Sequence, residues 1–149
     1  MTASREDADV LTSSEGYARR FSGPVGQWFK EVQARATLDL LAGWPGATVV
    51  DVGGGHGQTA GPLADAGYPL TVVGSDPSCR GRVSDLLAAG RLRFEVADLL
   101  HLPLPDRGVD VALSYRLLPH VTRWPELVGE LCRVARRGVI VDYPTRRSV

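Results

Sequence analysis

The chain is 149 residues long with 17 basic and 17 acidic side chains, a formal net charge of zero, which points to a single domain and argues against a polyanion-seeking, nucleic-acid-binding surface. At 44% hydrophobic and 23% charged it has a globular composition, and no stretch approaches the roughly 18 uninterrupted apolar residues of a spanning helix, so neither disorder nor membrane insertion is expected. The opening MTASREDADV is acidic and polar, unlike a secretory signal, so a cytoplasmic location is expected, while Cys79 and Cys132 are too isolated for a zinc site or a disulfide framework.

Residues 1 to about 15 lack periodicity and read as a flexible N-terminal arm, leaving 16–149 as the folded domain. From Val25 to Leu41 apolar residues recur at Val25, Trp28, Phe29, Val32, Ala36 and Leu40, the stripe of a helix, with Trp28 and Phe29 assigned to the core. Gly43 and Pro45 end it. A β-branched strand over 47–52 runs into glycines at 53–57 and a helical stretch to about Ala66. A second strand over 70–76 precedes a helix at 78–89, with Val83, Leu86 and Leu87 on one side. A third strand spans 91–97, and the proline-rich segment 99–106 is a loop. A strand at 109–114, a helix at 124–134 and a strand at 138–143 complete the alternation. Strands separated by right-handed helical crossovers give an α/β fold: a doubly wound, mostly parallel Rossmann-like sheet of about five strands in order 3-2-1-4-5, sandwiched between helices in three layers. Ligands in such sheets sit beyond the carboxyl ends of the strands, where the order reverses.

The strongest local signal is the run VVDVGGGHG over 49–57, in which a strand feeds directly into Gly53, Gly55 and Gly57. Glycines there let the backbone turn sharply and lie against a flat ligand. The dinucleotide pattern GxGxxG is not met, because Gln58 stands where its third glycine belongs. Asp76 ends the second strand about twenty residues on, where a carboxylate can take both hydroxyls of a ribose; it can equally cap the helix that begins near Ser78. Asp98, just past the third strand, can accept from the exocyclic amine of an adenine or form a turn. Asp51, near the top of the first strand, can hold the loop amides or a ligand ammonium through water.

With these residues the chain resembles the class I S-adenosylmethionine-dependent methyltransferases, in particular the small-molecule group called methyltransferase type 11, over about 47–143. The resemblance implies S-adenosyl-L-methionine as cofactor, with Asp51, Gly53, Gly55 and Gly57 as the first cofactor motif. It implies that Asp76, followed by Pro77, binds the ribose, that Asp98 with Leu99 frames the adenine, and that Ser114 and Tyr115 flank the methionine end. The run RVARRG over 133–138 is similar to the family's helix-to-strand corner. Full-length members continue past strand five, so a shortened chain, or one completed by a partner, is expected, with self-association through the uncovered edge of that strand. The acceptor implied is a small molecule, its reacting atom unread. The signature of nucleobase amino methylation is missing after strand four. Positioning of the acceptor supplies most of the catalysis in such enzymes. His120 lies in a segment that faces the acceptor in relatives or else simply starts a helix; His56 touches the cofactor or points outward. Tyr17 and Phe21 either cover the cofactor or pack as an i, i+4 pair, and the arginine pairs 19–20 and 136–137 read as solvated. A cofactor-binding module without turnover and a nicotinamide-dependent oxidoreductase are the alternatives, the glycine loop arguing against the latter.

Overall fold

Five valine-rich or alternating runs pair side by side in the computed structural model, which describes residues 5–147. They are β1 (Val49–Val52), β2 (Leu70–Gly74), β3 (Arg93–Val96), β4 (Val109–Ser114) and β5 (Ala135–Val141). All pairings are parallel and the order is β3-β2-β1-β4-β5, as the alternation of elements predicts. β1 is central and buried along its whole length, with Val50 in register with Thr71 on one side and Ala112 on the other. Its side chains alternate between two cores. Val49 joins Leu41, Leu63, Val72 and Val111 on one face, whereas Val50 and Val52 join Val73, Leu117, Leu127 and Leu131 on the other. Each such fully buried Val or Leu contributes about 1.5–3 kcal/mol relative to exposure.

The helices are α1 (Ala8–Thr12), α2 (Glu15–Ala18), α3 (Gly23–Leu41), α4 (Ala60–Asp65), α5 (Ser84–Ala88) and α6 (Trp124–Val134). α6 docks through Leu127, Leu131 and Val134, a spacing of four and three. Its Arg133 donates to the Glu130 carboxylate (2.6 Å), to Asp106 (3.0 Å) and to the carbonyl of Leu104 (2.8 Å), which fixes the loop 99–106 against the helix. Among the described residues no helix is long and apolar enough to cross a membrane.

Three expectations are corrected. Within the arm read at 1–15, residues 8–12 form α1, with Asp9 and Thr12 buried; residues 1–4 lie outside the described residues, as do 148 and 149 of the carboxyl terminus. The helix at 78–89 is a tighter 3₁₀ stretch, Pro77–Val83, followed by the short α5, because Pro77 and Gly81 disfavour a continuous α-helix. The apolar stripe of α3 faces away from the core: Val25 is 78% and Trp28 62% exposed, and Phe29, Val32 and Leu40 are also exposed. The helix turns its other side inward, burying Gly26, Thr37 and Leu41, because Thr37 hydrogen-bonds Tyr115 (2.6 Å between oxygens) and Gln33 donates to Asp142 (3.0 Å). Arg136 and Arg137 are exposed, as read, and from β5 they also pair with Asp110 at 3.0 and 3.2 Å.

Candidate functional site

At the carboxyl end of β1 the chain turns through Gly53 and Gly57, whose φ angles of +73° and +72° favour glycine, with a 3₁₀ turn at Gly54–His56 between them. The loop is tight on its inner side as well. A Cβ on Gly54 would fall 2.2 Å from the Asp51 carboxylate, and one on Gly55 would fall 2.3 Å from the Cys79 carbonyl and 2.4 Å from Ser13 Oγ. Asp51 is fully buried beneath this turn; its Oδ2 accepts from Thr59 (3.2 Å) and its Oδ1 has no partner. Burial pushes its carboxyl up to about 7, against the bond from Thr59 that pulls it down. His56 turns inward rather than outward, with Nδ1 accepting from the backbone N–H of Gln58 (3.1 Å). Burial, with the charges of Arg116 and Arg82, lowers it to about 3, so the ring is neutral and its proton sits on Nε2, which also lacks a partner.

Asp76 and Asp98 follow the ends of the adjacent strands β2 and β3. Asp76 is exposed and its Oδ1 accepts from the Ser78 N–H (2.9 Å), a bond that holds its carboxyl below the usual range. The capping role is therefore present, and it leaves most of the carboxylate's acceptor positions open. Asp98 accepts from the Leu100 N–H (3.0 Å) and approaches His101 Nδ1 (3.1 Å). Partial burial raises its carboxyl, but these two partners outweigh it and leave it below the ordinary value. Pro77 is exposed at the start of the 3₁₀ stretch. Leu99 is fully buried in the core face shared with Val52, and Ser114 donates to the Val52 carbonyl (2.9 Å), tying the tops of β1 and β4 together. Tyr115 is buried with its hydroxyl on Thr37. Strand ends thus gather the loop, the two acids and the Ser114–Tyr115 pair on one rim of the sheet, although Leu99 serves the core.

Several residues that local pattern does not single out complete this rim. Asp9 of α1 is fully buried, its carboxylate accepting from the Ser75 N–H (2.9 Å) and from the Ser75 hydroxyl. A Cβ on Gly53 would lie 3.5 Å from Asp9 Cβ, so α1 lies directly over the glycine loop. Arg5 places its charge near both Asp76 and Asp98. Next to β4, Arg116 is buried with a φ of +61°. Its N–H donates to Asp142 (2.6 Å), Nε to the Gln58 amide oxygen (2.6 Å) and Nη2 to that of Gln33 (3.1 Å). The guanidinium lies 3.7 Å from the ring centre of Phe21 and 5.0 Å from that of Phe29. Tyr17 packs on Phe21 at 5.7 Å and edge-on against His120 at 6.1 Å, the packing role expected of this i, i+4 pair. His120 itself is exposed. No sequence signal marks Asp9 or Arg116, whose partners lie tens of residues away.

The family profile described as "Methyltransferase domain" matches residues 50–141. An uncharacterized methyltransferase of Mycobacterium avium (strain 104) is 39% identical over 93 residues, covering 62% of this chain and 37% of that protein. An uncharacterized 37.1 kDa protein in transposon Tn4556 of Streptomyces fradiae is 36% identical over 126 residues, covering 72% of this chain and 36% of its own. The chain thus spans little more than a third of the length of the curated relatives it matches. Among solved structures, magnesium protoporphyrin IX methyltransferase of Synechocystis PCC 6803, with bound S-adenosylmethionine, superposes with a TM-score of 0.74 at 21% identity, over 100% of this chain and 81% of that one. An S-adenosylmethionine-dependent methyltransferase from Aquifex aeolicus gives 0.70 at 18% identity, over 91% and 77%. At such identities the likeness to both is one of fold.

Proposed function

This chain belongs to the class I S-adenosylmethionine-dependent methyltransferases, in the type 11 methyltransferase-domain family, and from that premise we propose that it moves a methyl group from S-adenosylmethionine to a small molecule. The observation that carries the reading is the convergence, on one rim of the sheet, of a glycine turn over buried Asp51 and two carboxylates on neighbouring strand ends. The donor set suits the cofactor. Three buried polar atoms without partners among the described residues, Ser13 Oγ, Asp51 Oδ1 and His56 Nε2, surround the turn, and Asp51 Oδ1 is an open acceptor for an ammonium group. Asp76 offers its free oxygen to ribose hydroxyls, and Asp98 lies one strand over to meet the base.

When bound, the cofactor supplies a sulfonium-activated methyl group. The protein's part is to hold, align and dry the site. Well-oriented reactants gain on the order of 7–11 kcal/mol, so no protein nucleophile is required. Asp51 would hold the amino-acid end from below, its unpartnered Oδ1 accepting from the ammonium. Tyr17 and Phe21 would close the acceptor side, and α1, which lies over the glycine loop, would have to part from Ser75 for the nucleoside to enter. The nicotinamide alternative is disfavoured because Gln58, which replaces the third glycine, spends its side-chain oxygen on Arg116. Calorimetric titration of the full chain tests the reading: S-adenosylhomocysteine is expected to bind in the micromolar range and NAD not at all. The opposite order refutes it. Turnover with a panel of small acceptors then separates a transferase from a binding module without turnover.

A further inference from the structure

A cleft of about 560 Å³ is walled by Tyr17, Phe21 and Phe29 on one side and by Arg116, Asp142 and Tyr143 on the other. Its volume falls within the range of small-molecule pockets. Gln58, immediately after the loop, bonds Arg116, so the cleft adjoins the rim on which the cofactor residues stand. Resting on the methyl-transfer reading, which makes this neighbour the acceptor subsite, we propose that the cleft selects a flat, anionic acceptor, an aromatic carboxylate whose ring lies along the phenylalanines and whose charge meets Arg116 and Arg20.

The aromatic wall is continuous: Tyr17 and Phe21 centroids are 5.7 Å apart, and those of Phe21 and Phe29 6.0 Å. Such a surface favours a ring over a flexible chain. The charge argument rests on where each polar atom is spent. Arg116 donates its side-chain bonds to the neutral amide oxygens of Gln58 and Gln33 and also interacts with the Tyr17 side chain, and its guanidinium is stacked on Phe21. Asp142, the carboxylate lining the cleft, accepts at Oδ1 from the Arg116 backbone and at Oδ2 from Gln33. It tempers the local charge without forming a direct ion pair with the guanidinium. Among the described residues neither Arg116 nor Arg20 belongs to a salt bridge. A buried guanidinium without a carboxylate partner is costly, and a planar fork is matched by a planar carboxylate. The left-handed backbone at Arg116, uncommon outside glycine, is a strained conformation of the kind that persists at ligand sites. Arg20, exposed at the mouth over the Tyr17 ring at 5.0 Å, supplies a second cation. With two cations against one committed carboxylate, an amine is the wrong occupant.

The test titrates the full chain with 2-naphthoate, 2-naphthamide and 2-naphthylmethylamine, following the probe's fluorescence with and without saturating S-adenosylhomocysteine. Naphthoate is expected to bind at least about tenfold more tightly than the amide, with the amine weakest. Arg20→Gln, at an exposed position, is expected to cut that preference several-fold while leaving S-adenosylhomocysteine affinity unchanged; Arg116→Lys should erase most of it. Equal binding of acid and amide, preference for the amine, or binding of none of the three overturns the proposal. Selective capture of naphthoate by a chain that fails to bind S-adenosylhomocysteine upholds the chemistry of the cleft and sinks the methyl-transfer reading instead.

Discussion

Asp51→Asn is expected to change the way stability depends on pH more than it changes stability at any one pH. In the folded chain burial pushes Asp51 up to about 7, against about 3.9 when unfolded. Between these values the native state holds a proton that the unfolded state has lost, so the contribution of Asp51 is fully present below about pH 4 and declines as the pH rises through 7. Three pH units at about 1.4 kcal/mol each make this decline roughly 4 kcal/mol. His56 runs the other way. Burial lowers it to about 3, so below about pH 6.5 the unfolded imidazole gains a proton that the folded one refuses, and stability falls on acidification. From about pH 4 to 6.5 the two slopes oppose each other, and the pair together leaves the wild-type profile nearly level. Asparagine keeps the shape of Asp51 and removes its titration, so the variant's stability should rise relative to wild type by roughly 4 kcal/mol between about pH 4 and 7.5. Urea unfolding followed by tryptophan fluorescence at several pH values in that window measures the difference directly, and subtraction removes acids outside the pair, such as Asp110, which the Thr48 backbone bond helps hold at about 2. A difference independent of pH would show that Asp51 is ionised in the native state and refute the reasoning.

Removing the carboxylate of Asp9 frees Ser75 from α1; Asp9→Ala should therefore tighten S-adenosylhomocysteine binding by calorimetry while lowering the melting temperature, and weaker binding would mean that Asp9 helps hold the ligand. Asp76→Ala should weaken the same ligand by roughly 1.5–3 kcal/mol, the range for a hydrogen bond to a charged group; unchanged affinity in a folded variant rejects the ribose assignment. Leu131, fully buried between α6 and the sheet, should cost about 2–5 kcal/mol when cut to alanine, and a loss below 1 kcal/mol in urea denaturation, well under that range, would show that this face of the sheet repacks.

The sheet was legible because its determinants are local. Val49, Val50 and Val52 are β-branched, buried on both faces and stopped by glycine, and α6 advertises itself by Leu127 and Leu131 on one side. For α3 the period identified the helix and misassigned its face, since the side that docks carries Gln33 and Thr37 while Val25 and Trp28 face solvent. Apolar periodicity locates a buried face only when burial is apolar. Here the docked face satisfies polar groups instead: Thr37 meets Tyr115 from 78 residues away, and Gln33 meets Arg116 from 83. Asp9 falls within the segment read as a flexible arm for the same reason, because Ser75, the partner that makes its burial tolerable, lies 66 residues on. Every one of these misread side chains ends at the carboxyl rim of the sheet. A core can be assembled from residues that announce themselves by pattern, whereas a site that must recognise a polar ligand is assembled from residues whose neighbours only the crossovers bring together. The disagreement between periodicity and burial on α3 therefore points to the same rim as the glycine loop, and it does so independently of that loop.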